Sequence, residues 1–248
     1  MENDSRVKKN WENSSENYSR LIEEELNCFK KQAWLNLILK YGEMKPGMRI
    51  LDVGTGPGFF SIILSEQGYW VTAVDCTEDM IRCAQENAEN HHVSPEFLVA
   101  DAQSLPFEDN SFDLIVSRNV AWTIIDAQKA YAEWKRILKP DGVVLIFDAN
   151  WNIRLFDEQK RLEDERDIAE MKRLYPDFPL HLRTPEMENF RKSMPMCAKH
   201  RPQWDFELLL RAGYQEITCI PDLNQLVYSE EEQLMNRSTP TFLLKAKQ

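Results

Sequence analysis

The sequence predicts an α/β fold, a mostly parallel sheet of seven strands with helices on both faces, and three observations predict it. Five short apolar runs alternate with helical patterns between residues 49 and 149. The runs are too apolar for a sheet with one wet face, so they read as strands buried on both sides. A glycine-rich turn, "GTGPG", follows the first run, and two more strand-like runs close the chain. A β-α-β-α-β series of this kind builds a parallel sheet under helices. With 248 residues the chain can bury one sizeable core, so a single domain carrying an insertion is expected.

Taken in order, Trp11 to Tyr41 reads as helical, because Leu21, Ile22, Leu26, Phe29, Ala33, Trp34, Leu37 and Ile38 recur at three- and four-residue spacing. Pro46 and Gly47 end it, leaving 1–45 as an N-terminal helical cap. The strands are "RILDV" (49–53), "WVTAVD" (70–75), "EFLVA" (96–100), "FDLIVS" (112–117) and "GVVLIFDA" (142–149). Helical patterns lie between them at Phe59–Gln67, Thr77–Asn90 and Ala127–Leu138. Thr77 is placed as an N-cap, with Glu78 and Asp79 at the positive end of the helix dipole. Gly68 and "KPDG" (139–142) are stop signals.

After the core at 46–151 the strand rhythm disappears. "LFDEQKRLEDERDIAEMKRLY" reads as a charged amphipathic helix with Leu155, Leu162 and Ala169 on one stripe, and a proline- and methionine-rich stretch follows. A structureless loop of that length is uncommon in a compact domain unless it covers a site. Residues 152–203 are therefore expected to be a helical lid inserted after the fifth strand. The final part, 204–248, returns to the sheet through the helix "WDFELLLRAGY" and the strands "EITCIPDL" and "TFLLKAK".

Thirty basic residues against 41 acidic ones give a net charge of −11, which repels a phosphate backbone, so nucleic acid is not an expected partner. The start lacks an apolar signal region and no long apolar run occurs, so a cytoplasmic protein without membrane insertion is expected. Cys28, Cys76, Cys83, Cys197 and Cys219 include no C-x-x-C pair, and the four histidines have no ligand spacing, so no metal site is expected.

The glycine turn sits at the mouth of the first strand, where parallel sheets bind ligands. By itself it is ambiguous between a dinucleotide and S-adenosylmethionine. The dinucleotide fingerprint needs a third glycine where this chain has Phe59. Asp52, two residues before Gly54, disfavours a pyrophosphate and suits a ligand with cationic groups. Asp75, ending the second strand about 20 residues further on, fits an acceptor for ribose hydroxyls.

"ILDVGTGPGFF", "VTAVDCTEDMI", "ADAQSLPFEDNSFDLIVSRNV" and "EWKRILKPDGVVLIFDAN" together resemble the successive motifs of class I S-adenosylmethionine-dependent methyltransferases. The likeness is greatest to the ubiquinone/menaquinone-biosynthesis group, the type 11 methyltransferase domain, and covers roughly Met48 to Trp151. It implies the Rossmann-like class I methyltransferase fold and S-adenosyl-L-methionine as cofactor, with S-adenosyl-L-homocysteine as product. It further implies that Asp52, Gly54 and Gly56 line the methionine moiety, with Thr55 and Gly58 shaping the loop. Asp75 would hold the ribose beside Cys76, Met80 would pack on adenine, Asp101 would accept from the adenine amino group, and the Ala102 amide would face the ring. Ser117 and Arg118 would flank the sulfonium end, and Tyr18 would close over the methionine portion. "SRNV" after the fourth strand is not the Asn/Asp-Pro-Pro-Tyr type of enzymes acting on bases or glutamine.

The expected activity is methyl transfer to a small molecule by in-line displacement, the acceptor atom being O, N, S or C. The alternative is a protein that binds S-adenosylmethionine or S-adenosylhomocysteine without catalysis, as a sensor or assembly partner. The chain is expected as a monomer or homodimer. Candidates for a general base are His181, His200 and Asp148. Trp122, Asn150 and Trp151 follow strand ends and are candidate substrate-wall residues, and Phe178, Met187, Met194 and Met196 a candidate apolar roof.

Overall fold

The computed structural model describes residues 2–12, 14–180 and 183–248. The chain opens with helices α1 (Glu2–Glu12), α2 (Ser15–Leu26) and α3 (Phe29–Tyr41), and the alternating core follows. That core is β1 (Arg49–Val53), α4 (Phe59–Ser65), β2 (Trp70–Asp75), α5 (Glu78–Asn90), β3 (Glu96–Val99), β4 (Phe112–Arg118), α6 (Ala127–Ile137) and β5 (Leu138–Asp148). The insertion carries α7 (Glu158–Leu174) and α8 (Pro185–Lys192). The chain then finishes with α9 (Gln203–Ala212), β6 (Glu216–Ile220), α10 (Asn224–Val227), α11 (Glu230–Met235) and β7 (Phe242–Lys247).

The seven strands lie in the order β3-β2-β1-β4-β5-β7-β6. All neighbours are parallel except β7, which runs antiparallel to both β5 and β6. Strand order reverses between β1 and β4, which places the ligand crevice at their carboxyl ends. The period-two alternation of each run divides the core. Ile50, Leu114, Val116, Val143, Leu145 and Phe147 face one layer with Trp34, Ile38, Phe60 and Ile63. Leu51, Ile115, Val144 and Ile146 face the other with Tyr131, Trp134, Ile137 and Leu209. Each such side chain contributes about 1.5–3 kcal/mol through burial. The Thr77 hydroxyl accepts from the Met80 amide and caps α5 as expected. Among the described residues no helix is long and apolar enough to cross a membrane.

Three expectations are corrected, and one segment was not foreseen. The helix over 11–41 is three helices, because Asn27 closes α2 and Cys28 turns extended to cap α3. The apolar spacing ran through these breaks because α2 and α3 bury their faces in the same core, Ile22 and Leu26 beside Trp34 and Ile38. "KPDG" does not precede the fifth strand but bulges within it: Phe112 pairs with Leu138 and Leu114 with Val143, so the buried Leu138 begins β5. The stripe of Leu155, Leu162 and Ala169 is not the inward face of α7. Leu162 is 53% exposed while Asp167 and Met171 are buried, since Arg237 Nε donates to the Asp167 carboxylate at 3.0 Å. Finally, α10 and α11 lie between β6 and β7. The Ser229–Glu232 capping box of α11 was readable as S-x-x-E.

Candidate functional site

The glycine turn is held from behind. Gly54 and Thr55 amides donate to Val74 O at 2.8 and 2.9 Å, tying the turn to β2. Gly54 has φ +70°, and a Cβ there would lie 2.3 Å from Val120 Cγ2. Gly56 has φ +52°, and its open face lies against the Tyr18 ring, 3.3 Å from where a Cβ would be. Only glycine takes both constraints without strain. Asp52 accepts from Thr55 Oγ1 at 2.7 Å and from the Ser61 amide at 3.1 Å, so it pins the turn and the first turn of α4. Burial pushes its carboxyl up to about 7, against the pull of those two donors.

In front of the turn lies a cavity of about 450 Å³, within the range of small-molecule and cofactor sites. Its lining comes from every strand end near the switch point: Gly54 and Gly56, Val74 to Cys76, Val99 to Gln103, Arg118 to Val120 and Thr123 to Ile125. Met80 of α5 and Tyr18 of α2 complete it, together with Val7, Lys8 and Trp11 of α1. Asp75 is organised by its neighbours. Oδ2 accepts from the Gly56 amide at 3.0 Å, and Oδ1 from the Thr77 amide and hydroxyl at 3.1 and 3.2 Å. Burial raises its pKa all the same. Asp101 Oδ1 accepts from the Gln103 amide at 2.9 Å. Burial, with Asp75 beside it, pushes the Cys76 thiol up to about 12, so it stays protonated.

The Arg118 side chain is only 9% exposed and is held from two sides. Nη1 donates to Glu25 Oε2 at 2.8 Å, and the guanidinium lies over Phe59, 4.3 Å from the ring centroid, with Trp34 and Phe60 also in reach. Burial works against the Glu25 carboxylate, but Arg118 and Lys30 hold its pKa below the ordinary value. Asn119 takes φ +60°, uncommon for a residue with a side chain, and its amide donates to Phe147 O at 2.8 Å.

The structure therefore brings Tyr18, Gly54, Gly56, Asp75, Cys76, Met80, Asp101, Ala102 and Arg118 to one cavity. Asp52 and Thr55 instead line a second, small cavity behind the turn, shared with Tyr18 and Arg118. Gly58 caps α4. Ser117 is buried and donates to Val53 O at 3.0 Å, bracing β4 against β1.

Trp122, Asn150 and Trp151 are not among the lining residues. The Trp122 amide donates to Asp148 Oδ2 and Trp151 Nε1 to Asp148 Oδ1, while Asn150 exchanges hydrogen bonds with the Arg201 backbone. Asp148 has no exposed surface, and Ala149 N and Arg201 Nη1 fill its remaining acceptor positions. The His200 side chain is 67% exposed, 3.7 Å from Asp157. His181 lies outside the described residues. No described residue of 152–203 lines the cavity. Met194 and Cys197 pack with Phe190 against Val7 of α1. Sequence reasoning missed α1 as a wall, along with Asn119 and Thr123 to Ile125. The signal for α1 was the pair Val7 and Trp11, one helical turn apart in an otherwise polar segment.

Residues 51–146 match the family model described as a methyltransferase domain. This segment is similar to a methyltransferase domain. The chain is 36% identical over 115 residues to the uncharacterized methyltransferase YcgJ of Bacillus subtilis (strain 168), a match covering 46% of each. It is 31% identical over 121 residues to the ubiquinone/menaquinone biosynthesis C-methyltransferase UbiE of Shewanella piezotolerans, covering 46% of this chain and 48% of that one. It shares its fold with phosphoethanolamine N-methyltransferase 2 of Haemonchus contortus, solved in complex with S-adenosyl-L-methionine. That likeness has a TM-score of 0.59 at 21% identity and covers 88% of this chain and 52% of that one. The chain thus spans about half the length of the curated relatives it matches. The matched segment contains the glycine turn, Asp75, Asp101 and Arg118. Tyr18 and the α1 wall come from outside it.

Proposed function

We propose that the protein binds S-adenosylmethionine in the cavity at the β1–β4 switch point and methylates a small molecule held beside it. One observation carries this reading. The glycine turn, Asp75 and Asp101, far apart in sequence, line one cavity of about 450 Å³ with their polar groups fixed by neighbours.

The residues fit that cofactor. Gly54 and Gly56 let Val120 and the Tyr18 ring close on the turn, and all four line the cavity that would take the methionine chain. Asp75 Oδ2 spends one of its lone pairs on Gly56, so the carboxylate retains capacity for ribose hydroxyls. Asp101 is placed to accept from the adenine amino group, with the Ala102 amide toward the ring and Met80 and Cys76 packed alongside. Arg118, Tyr18 and Gly56 surround the methionine end. Asp52, Thr55, Gly58 and Ser117 act from behind, keeping the turn in shape. In this reading the chain works as one unit: cap 1–45, core 46–151, insertion 152–203 and closing strands 204–248.

Bound there, the cofactor supplies an activated methyl group. The protein's part is alignment of the acceptor, which can supply about 7–11 kcal/mol of rate enhancement. Neither His200 nor Asp148 lines the cavity, so among the described residues alignment rather than proton removal by these candidates is the contribution the site makes.

Calorimetry with S-adenosylhomocysteine and NADH, followed by measuring S-adenosylhomocysteine formation from S-adenosylmethionine with pooled small metabolites, tests the reading. Tight binding of S-adenosylhomocysteine and metabolite-dependent turnover are expected. Preference for NADH overturns the cofactor assignment, and binding without turnover leaves a cofactor-binding protein without catalysis.

A further inference from the structure

The inference concerns the acceptor and rests on the cofactor reading above. With the glycine turn, the β2 and β3 ends, Met80, Tyr18 and Arg118 given to the cofactor, eight lining residues are left: Val7, Lys8, Trp11, Asn119, Val120, Thr123, Ile124 and Ile125. Five are apolar, and Val7, Trp11 and Ile125 belong to one packed cluster. Lys8 is the charged one.

The other charges on the lining are already engaged. The Arg118 cation is held by Glu25 and stacked on Phe59. Asp75, at the end of β2, accepts from the Gly56 amide of the glycine turn and from the Thr77 amide, and Asp101, just beyond β3, accepts from the Gln103 amide. No carboxylate or imidazole is among those eight.

An alkylamine acceptor would arrive as an ammonium ion, since such amines have a pKa of about 10. It would meet a cation and no group to take its proton. A carboxylic acid, with a pKa of about 4, arrives already ionised and needs no base. Its charge is matched by Lys8, against a chain whose net charge of −11 repels anions elsewhere.

We propose that the acceptor is a small carboxylic acid with an apolar or aromatic body, bound as its carboxylate. Lys8 is the specificity-determining residue, pairing with the carboxylate, while Val7, Trp11, Ile124 and Ile125 take the apolar body. Thr123 spends its hydroxyl proton on Val120 O at 2.7 Å and presents only acceptor capacity.

The test is a binding measurement. Protein first titrated with S-adenosylhomocysteine, then held saturated with it, is titrated at neutral pH with phenylacetate, isovalerate and indole-3-acetate, and with the matching amides and phenethylamine. At least one acid is expected to bind about tenfold more tightly than its amide, with the amine weakest. Lys8→Gln should erase the acid preference while leaving amide affinity within about twofold and cofactor binding unchanged. Equal binding of acids and amides, binding of none of the acids, or an undiminished preference in Lys8→Gln overturns the proposal. Failure of S-adenosylhomocysteine to bind removes the cofactor reading and this inference with it. Cofactor binding without an acid preference removes this inference alone.

Discussion

Arg201 and Asp148 form an ion pair sealed from solvent, with Nη1 2.7 Å from Oδ2, that joins the end of the insertion to the end of β5. Arg201 also grips Asp205 through Nε and Nη2 at 2.8 and 2.9 Å, and Tyr131 Oη donates to Asp205. Through Asp148 the same cluster fixes the Trp122 amide, one residue before the cavity wall at Thr123. The insertion is therefore fastened at its return rather than hung beside the site.

Breaking that pair leaves a buried charge uncompensated. Arg201→Met should lower stability by about 3–5 kcal/mol in urea denaturation. Adding Asp148→Asn to it should cost less than the two single changes together, because one of the two carboxylates orphaned by the loss of Arg201 is gone. Additive losses would show that the two residues act independently.

Asp52 gives a pH signature. Its folded pKa, raised to about 7 by burial, exceeds the ordinary aspartate value, so the folded state holds a proton that the unfolded chain has released. Stability tied to this group is complete below the unfolded pKa of about 4 and is lost as pH rises to about 7, by at most about 4 kcal/mol. Asp52→Asn should flatten denaturation midpoints across that window. A slope equal to that of the parent protein would contradict the assignment.

Asp75→Ala should reduce S-adenosylhomocysteine affinity about 100-fold in calorimetry, the effect of removing a charged acceptor shared by two hydroxyls. Loss of its bonds to Gly56 and Thr77 should lower stability by only about 1 kcal/mol. Unchanged affinity would sink the ribose role.

Gly54 and Gly68 make a matched pair, since both have positive φ, but a Cβ at Gly68 meets nothing within 4 Å while one at Gly54 runs into Val120. Gly68→Ala should cost about 1 kcal/mol and leave binding intact. Gly54→Ala should cost more and also weaken cofactor binding. Equal effects on binding would mean that the approach of Val120 does not shape the site.

The sheet was legible because its central strands β1, β4 and β5 bury apolar residues on both faces and the turn after β1 carries three glycines, so local chemistry and global fold agree. The glycine turn and Asp75 were legible for the same reason, each being fixed by its own strand end. What escaped was set by long-range partners. Asp167 faces inward because Arg237, in the turn after α11, reaches it, and no period in α7 encodes that. Asp148 looked like a free acid at a strand end, and only the folded chain brings Arg201 against it. The α1 wall escaped because its two apolar residues gain meaning only when Trp11 meets Tyr18 and Trp122, each at 6.0 Å.

That wall ties binding to the packing of one short element. Val7, Lys8 and Trp11 sit on a single helix, Glu2–Glu12, so a change that shifts this helix reshapes the cavity from outside the glycine turn. Affinities measured for variants of the Trp11–Trp122 contact would report how far the cavity depends on that packing.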